Sequence, residues 1–396
     1  MASFTEVGFT LFFLLAMTSA SIRVELETGE ELKNSGERFL ASEAKIELSN
    51  LINDAYYAKL GMGLDADKGI FWVPLQFDTS TSYMWVATNR CPCQGMPRDT
   101  LFNTSYSWKE TVPATQAEMT LGASKGEGTM GTLPVYVSKG EAPVSDQVVY
   151  IVPDISDFGT VSYNGKVGFG TTLGSHLPAT FFDNLVSKGI VAFKVFTVAL
   201  APKLAERKSY FILGQASTED ASSSLNYVEM NVTLTDDYKT AYSFTPDSIS
   251  FGKSALPIKE TVVHTGFPYL GIPSSLTDFA ETHLSSDCGI QNNVIICQSC
   301  DSSKYPNFDF VISGTTYTIE PAEYMTISEG YCIIHITQST EYDDKYLLGN
   351  VFMRNAIVVF DLENNKLGFA LSSATSLKNS VIGMFITIFA FLTFFQ

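Results

Sequence analysis

The chain has 396 residues, 45% of them hydrophobic, with 25 lysine and arginine residues against 42 aspartate and glutamate residues. This length predicts two domains or lobes around a large core, and the abundance of Phe and Tyr with only 17% charged residues favours strands. The net charge of −17, without a basic cluster, argues against nucleic acids and anionic membrane surfaces as partners.

The N-terminus has the pattern of a secretory signal peptide. An apolar segment at 8–17 is followed by three small residues at 18–20, which are typical of a cleavage site. The region before it is atypical, because it holds Glu6 and no lysine or arginine. We predict a signal peptide at 1–20 and a short, acid-rich N-terminal segment at 21–44.

Between about residues 52 and 369 the apolar pattern is mostly that of short strands. Runs such as 144–152 and 356–360 are bounded by Gly, Pro, Asn, Asp or Ser. Helical patterns occur at 179–188 and 275–285. The sequence therefore predicts an all-β chain with occasional helices.

An internal duplication is the most informative feature of the sequence. Asp78 follows an apolar run and precedes a Thr, and His264 does the same later in the chain. An apolar residue and a Gly follow each of them at a similar spacing. They are Val167 and Gly168 after Asp78, within 166–170, and Leu348 and Gly349 after His264, within 346–350. Four elements in one order predict two related halves whose turn tips meet.

These residues resemble motifs of the pepsin-like aspartic peptidases, over about residues 45–372. The family's first active-site loop, Asp-Thr-Gly-Ser/Thr-Ser followed by Trp-Val, is similar to 78–82 followed by Trp85 and Val86. The family's C-terminal signature is similar to 348–370 almost residue for residue.

The resemblance implies an all-β, bilobal pepsin-like fold. In this fold two β lobes are related by a pseudo-twofold axis, with a substrate cleft between them. We expect the N-terminal β lobe at 45–218 and the C-terminal β lobe at 219–372.

The resemblance also implies a chemistry that one substitution disturbs. The family hydrolyses peptides with two carboxylates that share one proton, one acting as base and the other as acid. Here Asp78 stands at the first position and His264 at the second. An aspartate–imidazolium pair lacks the shared proton, so we predict an impaired or inactive homologue. The alternative is an active endopeptidase with an unusual Asp78/His264 dyad, since either group can in principle move a proton.

Other departures from the family pattern agree with impairment. Ser80 replaces a Gly and adds a Cβ where the loop is expected to need a permissive backbone. Phe267 and Pro268 replace a Thr/Ser pair whose hydroxyls orient the carboxylates. The resemblance assigns support of the active site to four retained residues: Thr79, Thr81, Thr265 and Gly266.

The flap hairpin, which closes over substrate in the family, carries a Tyr before Gly-x-Gly. The corresponding residues are taken as Lys125, Gly126 and Gly128, with Lys125 at the position of the Tyr. An alignment shifted to 121–122 is the alternative, and it also lacks the Tyr.

The N-terminal segment departs from the family as well. Active members often carry a basic propiece whose lysine occupies the acid pair. The acid-rich segment at 21–44 is too short and wrongly charged for that role.

Six cysteines in an exported chain favour disulfides over zinc: Cys91, Cys93, Cys288, Cys297, Cys300 and Cys332. Cys91 and Cys93 are judged too close in sequence to pair normally. The resemblance implies a second-lobe disulfide that joins Cys297 or Cys300 to Cys332. The remaining connectivity stays open.

Export also makes the sequons at Asn103 and Asn231 candidate glycosylation sites. Residues 381–395 form an uncharged apolar tail after small residues and a short polar spacer, a pattern typical of a GPI-anchor signal. We predict this signal at 373–396, with a tail-anchored helix as the alternative. The expected location is the secretory pathway and then the extracellular face of the cell membrane.

The sequence as a whole predicts a secreted or cell-surface aspartic peptidase homologue. We expect a monomer whose inter-lobe cleft binds a peptide or protein ligand, without a metal or another cofactor. A weaker alternative is an inhibitor that binds carbohydrate or an enzyme on the same fold.

Overall fold

The computed structural model describes most of the chain between residues 56 and 373 and one strand before it. The described residues are 22–28, 56–93, 96, 98–110, 116–121, 124–137, 142–153, 163–172, 177–201, 209–235, 239–291, 293–328 and 330–373. The predicted signal peptide and all but the first residue of the predicted anchor signal lie outside these residues.

Within the described residues the first half of the chain forms eleven strands. They are β1 (Ile22–Thr28), β2 (Tyr56–Asp65), β3 (Gly69–Asp78), β4 (Met84–Ala87), β5 (Lys109–Glu110), β6 (Gln116–Leu121), β7 (Ser124–Tyr136), β8 (Val144–Val152), β9 (Gly165–Gly168), β10 (Val195–Ala199) and β11 (Ser209–Leu213).

The second half contributes seventeen further strands to the described structure. They are β12 (Asn226–Glu229), β13 (Asn231–Leu234), β14 (Thr240–Phe244), β15 (Ser248–Phe251), β16 (Ser254–Leu256), β17 (Thr261–Val263), β18 (Leu270–Ile272), β19 (Cys288–Gln291), β20 (Val294–Cys297), β21 (Phe308–Ile312), β22 (Thr315–Ile319), β23 (Met325–Ser328), β24 (Tyr331–Ile334), β25 (Ile336–Gln338), β26 (Tyr346–Leu348), β27 (Ala356–Asp361) and β28 (Lys366–Leu371).

Four short helices accompany the strands in the described part of the chain: α1 (Phe181–Ser187), α2 (Leu276–His283), α3 (Pro321–Tyr324) and α4 (Asn350–Met353). The two helices predicted from the sequence are α1 and α2. Both begin at a side-chain cap, since Thr180 accepts from the backbone N–H of Asp183 and Ser275 accepts from that of Asp278. These caps satisfy backbone donors that the first helical turn leaves unpaired.

The sheets confirm the predicted all-β, bilobal fold class. The largest sheet has 14 strands in the order β12-β28-β27-β10-β11-β1-β2-β3-β9-β4-β8-β7-β5, with β6 paired to β7 beside it. Three smaller sheets belong to the second half: β13-β14-β17-β26-β18-β25, β16-β15-β21-β22 and β19-β20-β24-β23. The largest sheet joins the halves, because β27 of the second pairs with β10 of the first.

An aromatic cluster forms the part of the core that links the two halves. Phe196 on β10 stacks on Phe360 of β27 with ring centroids 4.5 Å apart. Phe77, which directly precedes Asp78, packs edge-on against Phe211 at 4.9 Å. These rings are all buried, so the strand that carries Asp78 is anchored by the protein's central core. Trp85 is also buried, in a smaller cluster.

The disulfides differ from two expectations. Cys91 is bonded to Cys93, although the sequence suggested that they are too close to pair. Their Cα atoms are 5.1 Å apart, which is an ordinary distance for a disulfide.

The second correction concerns Cys297, which is bonded to Cys288 and not to Cys332. Cys288 and Cys297 are direct partners across the β19–β20 hairpin, so this disulfide is local to one hairpin. Cys300 and Cys332 carry free thiols. Burial raises the pKa of the Cys332 thiol, and a hydrogen bond with Cys300 raises it further. These two residues therefore lie in contact without a bond between them.

None of the helices in the described part of the chain is both long and apolar enough to cross a bilayer.

Candidate active site

Asp78 and His264 occupy the same place in two copies of one motif. Asp78 ends β3, which runs parallel to β9 with Phe77 opposite Val167. His264 directly follows β17, which runs parallel to β26 with Val263 opposite Leu348. In each copy a third strand, β4 or β18, pairs antiparallel with the second one. The fold thus presents both side chains at the ends of equivalent central strands.

The next residue in each turn ties the two copies together. The Thr79 backbone N–H donates to Thr265 Oγ1 at 3.0 Å, and the Thr265 N–H donates to Thr79 Oγ1 at 3.1 Å. Each hydroxyl in turn donates to a carbonyl of the opposite strand, Val263 at 3.3 Å and Phe77 at 2.9 Å. All four groups are buried, so this reciprocal set fixes the distance between the turns.

A buried lysine contacts the carboxylate of Asp78. Lys166 Nζ lies 2.6 Å from Asp78 Oδ2, and the two side chains are 10% and 1% exposed. The backbone N–H and the hydroxyl of Ser80 both donate to Asp78 Oδ1, at 2.8 and 2.7 Å. A carboxylate offers about four lone pairs. Three of them therefore have a donor.

These contacts keep Asp78 ionised. Burial alone raises the pKa of a carboxyl group, but the charge of Lys166, the neighbouring His264 and the hydrogen bonds from Lys166 and Ser80 outweigh it, so the pKa of Asp78 lies far below its ordinary value. Burial alone lowers the pKa of a lysine, yet the Asp78 carboxylate holds the pKa of Lys166 above its usual range. The pair is therefore charged on both sides at neutral pH.

His264 lies beside this pair without joining it. Its Nε2 is 3.8 Å from Asp78 Oδ1 and 3.6 Å from Glu341 Oε2, and its side chain is 5% exposed. Both ring nitrogens are buried and make no hydrogen bond within the described structure. The ring packs edge-on against Phe267 and Tyr342, with centroids 5.8 and 6.3 Å away. Asp78 and His264 thus approach each other, but no proton is shared between them.

Gly266 lies directly against the carboxylate of Asp78, where there is no room for a side chain. A Cβ at this residue would lie 2.4 Å from Asp78 Oδ2 and 2.5 Å from its Cγ. No side chain fits there while the carboxylate keeps its place. The turn that carries His264 therefore approaches Asp78 as closely as a bare backbone permits.

Ser80 does not strain its turn, contrary to the concern raised by the sequence. It is absent from the described residues with positive φ, so the missing Gly costs no backbone freedom here. Its hydroxyl becomes a donor to Asp78. Thr81 supports the same turn, since its carbonyl accepts from the Gly170 N–H at 2.8 Å.

In the turn that carries His264, Phe267 stands at the position that corresponds to Thr81. The Asn350 N–H donates to the carbonyl of Phe267 at 2.8 Å, so Phe267 keeps the backbone role of Thr81. Its side chain contributes no hydroxyl and packs against His264. Pro268 follows it and has no N–H to donate.

The candidate flap residues lie on a hairpin. Lys125, Gly126 and Gly128 belong to β7, which pairs with β6 so that Leu121 faces Ser124. All three candidate flap residues therefore lie on the β7 strand of this hairpin.

The two candidate glycosylation sites differ in exposure. Asn103 is half-buried, and its side-chain oxygen accepts from the Ser105 N–H at 3.0 Å. Asn231 is exposed at the start of β13, and its side-chain NH₂ donates to Glu260 at 2.9 Å.

Sequence reasoning missed Lys166 and Glu341. Lys166 was read only as the start of an apolar motif, although a lysine between Gly165 and Val167 in a buried strand signals a partner of opposite charge. Glu341 carries no such signal, because it stands in an acidic, polar stretch between β25 and β26. Only the tertiary structure brings it to His264.

The described residues contain no group of three or more His, Cys, Asp or Glu side chains arranged to hold a metal ion.

A model of the eukaryotic aspartyl protease family matches residues 55–372. The chain belongs to this family. It is 27% identical to pepsin A of Bos taurus over 353 residues, which cover 85% of this chain and 90% of that protein. It is 28% identical to pepsin A of Sus scrofa over 339 residues, covering 82% and 83%, and 25% identical to pepsin A of Gallus gallus over 340 residues, covering 83% and 88%. In this aspartyl protease fold, Asp78 and His264 lie close together where the two copies of the strand motif meet, and Lys166 neutralises the carboxylate of Asp78.

Proposed function

We propose that this aspartyl protease homologue has lost peptide hydrolysis and keeps its cleft for binding a peptide or an extended protein segment. The observation that supports this most strongly is the buried contact between Lys166 Nζ and Asp78 Oδ2 at 2.6 Å. A pseudoenzyme of this kind would be exported and held at the cell surface, consistent with the predicted signal peptide, anchor signal and sequons.

The ion pair opposes both roles of a catalytic carboxylate. A general base must take a proton from water near the working pH, which requires a pKa near that pH. A carboxylate whose pKa is held far below its ordinary value by Lys166 is too weak a base for this step. It also cannot act as an acid, because it carries no proton at any pH where the protein is expected to work.

His264 does not repair this defect. It stands where the resemblance places the second carboxylate, and its Nε2 is 3.8 Å from Asp78 Oδ1, beyond hydrogen-bond distance. Proton transfer between the two groups needs closer contact. The pair therefore lacks the shared proton of an acid dyad.

The rival function is an active endopeptidase that uses Asp78 and His264. The proximity of the two side chains favours it, together with Glu341 at 3.6 Å from His264 Nε2, because a carboxylate that orients an imidazole is a common catalytic arrangement. In this case Lys166 would have to leave Asp78 when substrate binds.

The decisive experiment measures hydrolysis of denatured casein by the purified protein from about pH 2 to 8, which spans the titration of carboxylates and imidazoles. We expect no turnover from the wild type, from Asp78→Asn or from Lys166→Leu. The double variant Lys166→Leu/His264→Asp restores two carboxylates without the lysine, and it is expected to gain weak acid-pH activity. Wild-type turnover that Asp78→Asn abolishes would establish the active endopeptidase instead.

A further inference from the structure

Within the described residues, Glu341 is the acidic group of the candidate site that has no lysine or arginine at ion-pair distance. Its side chain is 25% exposed, and within the described structure the only group at ion-pair distance is His264 Nε2, at 3.6 Å. The lysine nearest in sequence, Lys345, is already paired with Glu260. The carboxylate of Glu341 therefore remains available to a ligand.

The histidine next to it has unused hydrogen-bonding capacity. Both ring nitrogens of His264 are buried and unbonded in the part of the chain that the structure describes, although Nε2 points toward Glu341 and Asp78. An unsatisfied buried polar group costs about 1–3 kcal/mol, so a ligand atom that pairs with it gains correspondingly. Neutral imidazole offers one acceptor and one donor.

The charges around these two residues favour a cation. Asp78 and Lys166 cancel each other, which leaves the carboxylate of Glu341 as the net charge beside His264. An ammonium or guanidinium group could donate to Glu341 Oε2 and to the acceptor nitrogen of His264 together. An anionic side chain would meet the uncompensated carboxylate and be repelled.

We infer that Glu341 and His264 form a subsite for the basic side chain of a bound peptide, a lysine or an arginine. The inference rests on the proposed function, because it presumes a cleft that still binds peptides. It predicts a preference for peptides with a basic side chain. The apolar rings of Phe267 and Tyr342 would not by themselves produce that preference.

The test is selection of peptides by the purified full chain in 0.15 M salt, which screens the general attraction of a protein with net charge −17 for cations. The probes are pools of acetylated, amidated hexapeptides of Ala, Leu, Val, Phe, Ser and Thr. In each pool one position is fixed as Lys, Arg, Gln or Glu. Retained peptides are identified by mass spectrometry after rapid gel filtration.

At one position, the wild type is expected to retain Lys or Arg peptides about 10-fold or more over Gln peptides, the effect of one charge-assisted hydrogen bond. Glu341→Gln should reduce that ratio to about 2 or less, and Glu341→Asp should preserve most of it. Glu281→Gln, on the exposed face of α2, is the matched control for the loss of one negative charge and should leave the ratio unchanged.

Two outcomes overturn the subsite, and they differ in what they mean for the cleft. Retention of peptides without a charge preference, or with one that survives Glu341→Gln, overturns the subsite and leaves peptide binding intact. Retention of no peptide from any pool overturns the subsite and peptide binding together.

Discussion

The turn after β3 and the turn after β17 are held by equivalent backbone hydrogen bonds but surround their tips with different charges. In both turns a Thr hydroxyl accepts from a backbone N–H of the opposite turn. The carbonyl three residues after each tip, that of Thr81 or Phe267, accepts from a backbone N–H just beyond β9 or β26. The first tip is a carboxylate with a lysine and a serine as donors. The second is an imidazole whose nitrogens make no hydrogen bond to any residue that the structure describes.

The source of the charge difference is one position in the duplicated motif. Val167 lies opposite Phe77 and Leu348 lies opposite Val263, so Lys166 and Leu347, which precede them, are equivalent. Leu347 is fully buried among apolar side chains, whereas Lys166 reaches Asp78. The framework of this site therefore tolerates a change of chemistry, because the hydrogen bonds of Thr79 and Thr265 do not involve the side chains of the tip residues.

An internal lysine thereby takes the place that the family resemblance gives to a propiece lysine. A propiece can be removed by cleavage, whereas Lys166 lies within β9 of the folded chain. The group that neutralises Asp78 is therefore part of the folded chain itself and is not removed by cleavage of a propiece.

Lys166→Leu makes the first half like the second and is expected to have the largest effect. It leaves the Asp78 carboxylate buried without its counter-charge, so the free energy of unfolding should fall by about 3–5 kcal/mol. Urea denaturation at pH 7, followed by circular dichroism, measures the loss.

The double variant Asp78→Asn/Lys166→Leu is the control for this prediction. Because it removes both charges, it should recover most of the stability lost in the single variant. Equal losses in the two variants would mean that Lys166 supports the fold through packing and that its charge is irrelevant.

The next largest effect on the free energy of unfolding is expected at acid pH, where the Asp78–Lys166 pair is weakened. The pKa of Asp78 lies below its ordinary value near 3.8 in the folded state, so below about pH 4 the unfolded chain takes up a proton that the folded chain excludes. The pair's contribution is complete above that pH and is lost as pH falls, by about 1.4 kcal/mol per pH unit at most.

Thermal or urea unfolding from pH 5 to 2 measures this dependence in the wild type and in Asp78→Asn/Lys166→Leu. The double variant should show a shallower decline, since the other carboxylates of the protein contribute equally to both. Parallel curves for the two proteins would contradict an ionised Asp78 in the folded state.

Thr79→Val and Thr265→Val test the part of the site that is the same in both halves. Each change removes a hydroxyl that accepts one hydrogen bond and donates another across the interface. Loss of an acceptor for a buried N–H costs about 1–3 kcal/mol, and the two variants should lose similar amounts. A large difference between their urea midpoints would show that the symmetry is geometric only.

Much of this arrangement could be predicted from the sequence because local patterns carry it. The alternation of short apolar runs and turn residues predicted the all-β fold, and the helical patterns at 179–188 and 275–285 predicted α1 and α2. The duplicated Asp78 and His264 turns predicted two equivalent positions. Two details could not be predicted, because they depend on contacts between distant segments: the lysine beside Asp78 and the glutamate beside His264. The pairing of Cys288 with Cys297 is local, but six cysteines allow many pairings and the sequence alone does not choose among them.

The sequence by itself determined the family, the lobed β architecture and the unequal residues at two equivalent turn tips, since these follow from order and spacing along one chain. The tertiary structure decided what those residues can do. Only the folded chain brings Lys166, 88 positions away, to within 2.6 Å of Asp78 in a buried environment. There a charge is stable only with its partner, and this pairing sets the ionisation of the carboxylate.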